Sequence, residues 1–155
     1  MRIPLILPLS LGLLLAGGCK SSVSPEKQAQ IDQEKIETYV AENNLVGEYT
    51  TSGVFVSFER PGTGEETPNA ASVVEVIYRG TLLDSAGKEF DSSNGFPVRF
   101  QVANLVAGFQ QGIARFKLDA KGIMIIPSRL GYGATARGSI PANSVLIFEV
   151  ELLDF

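Results

Sequence analysis

The side chains able to do chemistry form a restricted set. Histidine is absent and cysteine occurs once, at Cys19, so a histidine-based triad, a histidine-ligated metal site and an intrachain disulfide are all excluded. Most hydrolase and zinc-enzyme functions go with them. What remains is a carboxylate in an aromatic setting: Asp91 follows Phe90 and precedes Ser92-Ser93. A carboxylate is costly to bury without partners, so Asp91 is either a turn cap or the polar fixture of a pocket. Tyr132 lies in Gly131-Tyr132-Gly133-Ala134-Thr135-Ala136, which fits the G-x-G-x-x-G/A pattern that cradles a pyrophosphate at a helix N-terminus. That fingerprint must open a helix, however, and here Gly138 and Pro141 follow directly.

The elements that must position these residues are legible from periodicity. From Gly53 onward four segments alternate with period two and read as half-buried strands. Val54, Val56 and Phe58 share one face, opposite Phe55, Ser57 and Glu59. Val74, Val76, Tyr78, Gly80 and Leu82 share the next, Val98, Phe100 and Val102 the third, and Leu146, Phe148, Val150 and Leu152 the last. Tyr78 and Phe148 thus have inward parity, which suits plain core packing as well as a pocket wall. Turn clusters at Pro61-Gly62-Thr63-Gly64, Asp84-Ser85-Ala86-Gly87 and Asn94-Gly95 separate the segments. Leu105, Val106, Phe109, Ile113 and Phe116 fall at helical spacing, and a further apolar run from Ile123 to Ile126 stops at Pro127. These patterns predict an α+β domain, one antiparallel β-sheet covering a short α-helix. Ahead of it, Ser24-Pro25-Glu26 is a helix start, with Ile31, Ile36, Tyr39 and Val40 recurring towards Asn43-Asn44. This N-terminal helix, about Pro25 to Asn43, is either a spacer and partner-binding face or a helix packed on its own domain.

The 155 residues suffice for one such domain and a modest extension. Net charge is −4, from 13 basic and 17 acidic side chains, and the basic residues are scattered rather than gathered in a stripe, which argues against nucleic acid as a partner. At the N-terminus, Met1 and Arg2 precede an apolar run from Ile3 to Ala16 closed by Gly17-Gly18. This is the layout of a secretory signal peptide, and it is shorter than the ~20 residues a transmembrane helix needs. Leu15-Ala16-Gly17-Gly18-Cys19 resembles the lipobox of bacterial lipoproteins, with the leucine four residues before the cysteine instead of three. The resemblance implies that Cys19 carries a lipid; ordinary cleavage leaving a free thiol is the alternative. The expected division is a signal peptide over 1–18, a lipid-anchored tether with the N-terminal helix over 19–52, and the α+β domain over 53–155. The protein would be exported and held at a bacterial envelope membrane, facing the periplasm.

Read in order, Val76-Ile77-Tyr78-Arg79-Gly80, Gly87-Lys88-Glu89-Phe90-Asp91-Ser92-Ser93, Val106-Ala107-Gly108-Phe109 with Gly112, Ile126-Pro127 with Gly131-Tyr132-Gly133, Ile140-Pro141, and Leu146-Ile147-Phe148-Glu149-Val150-Glu151-Leu152-Leu153 resemble the signature of FKBP-type peptidyl-prolyl cis/trans isomerases. The resemblance covers about Gly53 to Phe155. It implies the FKBP-like fold, an antiparallel sheet wrapped across a short helix, and a pocket for a prolyl ring lined by Tyr78, Phe90, Asp91, Leu105, Val106, Phe109, Tyr132, Ile140 and Phe148. In that pocket Phe109 would form the floor, the Val106 N–H and the Tyr132 hydroxyl would meet carbonyl groups of the substrate, and Asp91 would orient the polar edge. Proline-containing proteins or peptides are the implied substrates, macrolide inhibitors an implied ligand class, and neither metal nor other cofactor is required.

The residue types suit that reaction. Rotation about an X–Pro bond crosses a barrier of ~18–20 kcal/mol set by amide resonance, and no bond to a nucleophile is made. The missing histidine is no obstacle. The sequence departs from the best-known family pattern where Phe109 replaces a frequent tryptophan, where Val98 stands at a common aromatic position, and in a loop from Ala134 to Ser139 that is one residue shorter. These changes thin the aromatic surface, so a catalytically weak FKBP-like binding module, acting as chaperone or scaffold, is the competing expectation.

Overall fold

The structure, a computed structural model, describes residues 23–85 and 87–155. Residues 1–18, where a signal peptide is expected, and Cys19 lie outside the described residues. Helix α1 (Pro25–Glu42) begins as its sequence predicts: Ser24 is extended at the N-cap, its hydroxyl accepts from the Lys27 N–H at 3.2 Å, and Pro25 occupies the first turn. Seven strands follow, β1 (Gly47–Tyr49), β2 (Phe55–Arg60), β3 (Val73–Leu82), β4 (Lys88–Ser92), β5 (Val98–Gln101), β6 (Lys121–Ile126) and β7 (Leu146–Asp154). Helix α2 (Ala107–Ile113) lies between β5 and β6.

All pairings are antiparallel, in the order β1-β2-β6-β7-β3-β4, with β5 also on β3. The ten-residue strand β3 carries two partners end to end along one edge: Val73–Val76 pair with β5 and Arg79–Leu82 with β4, while β7 runs along its other edge. The sheet begins at β1, ahead of Gly53, since Gly47, Glu48 and Tyr49 pair with Ser57, Val56 and Phe55.

Side-chain alternation divides the interior into two layers. On the α2 face, Val54, Val56, Val74, Val76, Met124, Ile126, Leu146, Phe148, Val150 and Leu152 close over Phe109, Ile113 and Phe116. Glycine lets the helix come this close: a Cβ on Gly108 would stand 2.2 Å from Ile126 Cγ2. On the opposite face, α1 lays Ile36 on Phe55, Ile125, Val145 and Ile147, with Tyr39 and Val40 packed around them. The N-terminal helix therefore packs on its own domain. Each fully buried aliphatic or aromatic side chain in these layers contributes about 1.5–3 kcal/mol. The rest of the α1 face is charged: Arg79 bridges Glu89 and Glu149, Arg60 meets Glu151, and Lys121 meets Glu59.

Candidate active site

Beside α2 the core is left unfilled, and a cleft of about 220 Å³ opens between Tyr78, Phe90, Asp91, Phe100, Asn104, Leu105, Val106, Phe109, Tyr132, Arg137 and Phe148. Its walls are built from several elements. Phe148, on β7, is the central ring, with Phe109 of α2 edge-on at 5.1 Å and Phe90 of β4 edge-on at 5.5 Å. Tyr78, on β3, tilts against Phe148 at 6.4 Å and meets Phe100 of β5 at 5.7 Å. These edge-to-face pairs fix ring orientation as well as burying area. Phe109 is only 4% exposed and Phe148 6%, so both are floor and core at once.

Two local features aim the polar groups. Successive strand residues point to opposite faces, yet Phe90 and Asp91 both line the cleft. The register explains this: Gly80 faces Asp91 and Thr81 faces Glu89, so Phe90 is the extra residue of a β-bulge. Opposite it, Gly80 has no side chain where a Cβ would lie 2.7 Å from Phe90 Cζ and 3.0 Å from Phe148 Cε1, which makes room for the two rings to meet. The bulge delivers the Asp91 carboxylate to Tyr78, whose hydroxyl donates to Asp91 Oδ2 at 2.8 Å. Burial, then this hydrogen bond and the carboxylate's charge, holds the Tyr78 hydroxyl well above the ordinary tyrosine range. It stays a proton donor at any physiological pH.

Across the cleft, Val106 is the N-cap of α2, extended at φ −60° and ψ 147°, and its carbonyl starts the helix by accepting from Gln110 at 3.1 Å. Among the described residues nothing accepts from the Val106 N–H. The turn before it is fastened by the Gln110 side-chain amide, which donates to Leu105 O at 2.8 Å and Ala103 O at 3.3 Å. Tyr132 stands on the loop between β6 and β7 with the Arg137 guanidinium 5.3 Å above its ring. Arg137 is set by reciprocal backbone bonds with Ile140, at 2.9 and 2.8 Å, and joins no ion pair among the described residues. The cleft thus has apolar walls, an exposed carboxylate on one side and a cation over a tyrosine on the other. Among the described residues no cluster of acidic or cysteine side chains could hold a metal.

The family model described as FKBP-type peptidyl-prolyl cis-trans isomerase matches residues 64–153. The chain belongs to this family. Among curated FKBP-type relatives, the isomerase FkpA of Aeromonas hydrophila is 40% identical over 132 residues, covering 83% of this chain and 48% of that protein. FkpA of Escherichia coli K12 is 36% identical over 137 residues, covering 79% and 50%. The chain spans about half the length of the curated relatives it matches. Among solved structures, Escherichia coli FkpA superposes with TM-score 0.69 at 34% identity, over 83% of this chain and 61% of that one. A peptidyl-prolyl isomerase of Pseudomonas syringae superposes with TM-score 0.71 at 28% identity, over 86% and 97%.

Of the nine residues that the FKBP resemblance places around the pocket, the structure brings Tyr78, Phe90, Asp91, Leu105, Val106, Phe109, Tyr132 and Phe148 onto one cleft. Ile140 is not among the lining residues: it is 7% exposed, packs in the same core cluster as Phe109 and Phe148, and its backbone holds Arg137. Phe100, Asn104 and Arg137 line the cleft without having been singled out. Phe100 had a signal in its inward strand parity. Asn104 and Arg137 lie in non-periodic turns and had none.

Proposed function

We propose that this protein is a peptidyl-prolyl cis/trans isomerase that assists protein folding in the bacterial cell envelope. The observation that carries the reading is the Tyr78–Asp91 pair at 2.8 Å on the rim of a cleft floored by Phe109 and Phe148. Isomerisation requires only that the twisted amide be favoured over the planar one. In the twisted form the nitrogen has lost conjugation and the carbonyl bond is less polar, so an apolar wall that displaces water from that carbonyl stabilises it selectively. The cleft accommodates a prolyl ring against Phe109 and Phe148, while the Val106 N–H, without an acceptor among the described residues, and the Tyr132 hydroxyl hold carbonyl groups on either side of the bond. Tyr78, kept protonated, orients Asp91 at the edge where the residue before proline turns. Lowering the barrier by ~5–7 kcal/mol accelerates the step by about four to five orders of magnitude, within reach of desolvation and two or three hydrogen bonds without covalent chemistry.

Proline-containing proteins are the substrates in this reading, and macrolide inhibitors would compete for the same apolar floor. The signal-like segment and Cys19 support export and lipid attachment at a periplasm-facing membrane surface, with residues 53–155 as the catalytic unit. Among the described residues no helix is long and apolar enough to cross a membrane. Mass spectrometry of the mature N-terminus tests the anchor: a diacylglyceryl adduct on Cys19 supports it, and an unmodified Cys19 or an end elsewhere defeats it. The activity is tested by the cis-to-trans rate of short X–Pro peptides at low temperature, with the wild-type chain beside Asp91→Ala and Tyr132→Phe. Strong acceleration that falls in both variants supports the reading; no acceleration by a folded chain across several X residues rejects it.

A further inference from the structure

A carboxylate lies completely buried between α1 and the loop that carries Tyr132. Asp32 has 0% of its surface exposed, and three donors satisfy it: the Gln28 side-chain amide gives to Oδ1 at 2.8 Å, while the Ser128 backbone N–H and hydroxyl give to Oδ2 at 2.8 and 2.6 Å. It forms no ion pair among the described residues. Gln28, Asp32 and Ile36 follow at four-residue spacing on one helical stripe. Docking α1 on the sheet does not require a carboxylate there, because an apolar side chain on that stripe would bury without the desolvation cost. What the carboxylate adds is direction: it accepts from both donors of one residue, 96 positions away in the chain, and so selects a single placement of that residue.

Ser128 passes the constraint on. It is itself 1% exposed, and its carbonyl accepts from the Gly131 N–H at 3.0 Å and the Gly133 N–H at 2.8 Å, the two amides flanking Tyr132. The Gly133 carbonyl in turn accepts from Asn143 at 2.8 Å, closing the base of the loop. The neighbouring Arg129 guanidinium donates to the Ser52 carbonyl, a second tie to the segment that follows α1. A continuous set of hydrogen bonds therefore runs from the first half of α1 to the backbone on both sides of Tyr132.

We propose that Asp32 is a positioning residue of the isomerase site, acting through Ser128 to hold Tyr132 at the cleft, so that α1 belongs to the catalytic framework although it lies outside the segment matched by the family. The activity readout rests on the isomerase reading above; an exchange readout on the backbone does not. The test uses the full chain carrying Asp32→Leu, Asp32→Asn or Ser128→Ala, each confirmed folded by its thermal transition. Measured for each are kcat/KM on a prolyl peptide and hydrogen exchange of the Gly131 and Gly133 amides. Asp32→Leu removes the acceptor of all three hydrogen bonds and is expected to lose about tenfold in kcat/KM and a comparable factor in protection at Gly133, the scale of one charge-assisted hydrogen bond. Asp32→Asn, which retains one acceptor oxygen, falls between it and wild type. In a double-mutant cycle Asp32→Leu costs less in the Tyr132→Phe background than in wild type, which a purely structural role would not produce. If Asp32→Leu does not fold, Ser128→Ala, which deletes only the hydroxyl, decides in its place. Wild-type rates and wild-type protection in folded variants overturn the proposal, as does a loss fully additive with Tyr132→Phe. Should the wild-type chain fail on every peptide, the isomerase reading falls, and exchange at Gly131 and Gly133 alone decides whether Asp32 holds the loop.

Discussion

The two faces of the sheet are finished in different ways. The α2 face is almost entirely apolar and stops short of filling itself, leaving a cleft whose aromatic rings hold one another in fixed orientation. The α1 face is sealed over one half by Ile36 on Phe55, Ile125 and Ile147, and over the other half by crossing ion pairs. One face keeps an apolar surface available to a ligand; the other covers its apolar centre with α1 and carries charge over much of the rest. Ile147 and Phe148 are neighbours on β7 and point to opposite faces, so the contrast reduces to two adjacent residues.

The largest effects should therefore come from that pair. Phe148→Ala is expected to cost about 3–5 kcal/mol in urea unfolding and to remove isomerase activity from the molecules that remain folded, whereas Ile147→Ala should cost about 2–5 kcal/mol and leave the activity of folded molecules near wild type. Equal loss of activity in both would erase the distinction between the faces. Asp91→Ala should do the reverse of Ile147→Ala, lowering kcat/KM by about tenfold with little change in the unfolding midpoint, because the residue is exposed and its main partner is the Tyr78 hydroxyl. A smaller effect still is expected from pH. Burial and the bond to Asp91 raise the folded Tyr78 pKa above its unfolded value near ~10, so the stability Tyr78 contributes is fully present below about pH 10 and declines only in more alkaline solution. The Tyr78 hydroxyl should accordingly stay protonated through about pH 10; a loss of isomerase rate near that pH that disappears in Tyr78→Phe would mean that Tyr78 is not held as a donor. At the bottom of the scale, Arg79→Ala removes exposed bridges to Glu89 and Glu149 and should leave the unfolding midpoint within experimental error, since salt and water screen such pairs.

The same contrast explains what could be read before the structure was known. Strands with one apolar face, such as β3 and β7, announced themselves by alternation, and Ser24-Pro25 marked the start of α1 to the residue. Strand β6 did not read as a strand, because Met124 and Ile126 face one layer while Ile123 and Ile125 face the other, leaving an unbroken apolar run. Strand β1 is three residues long and exposed, too short to show a period. In the site, the ordered FKBP motifs led to the aromatic walls and to Asp91, but the bulge that turns Phe90 and Asp91 to the same side follows from strand register and leaves no mark in composition. Asp32 was missed because an acidic residue on a helix normally faces water; its position one turn before Ile36 on the same stripe was the available signal.

The place of β7 in the ladder has a consequence for how the molecule is made. Strands β1, β2 and β6 form one block and β3, β4 and β5 another, and among the described residues the strand pairing between the two runs through β7, which pairs with β6 on one side and β3 on the other. Every strand of both blocks precedes residues 146–154 in the chain, and each block keeps a hydrogen-bonding edge without its mate until β7 is present. Until β7 slots between them, those edges are templates for the wrong chain. Chains truncated before Leu146 should stay protease-sensitive and associate with one another, and chains that extend through Asp154 should do neither. A protein proposed to rescue slow-folding chains thus passes through its own interval of exposure, closed by β7.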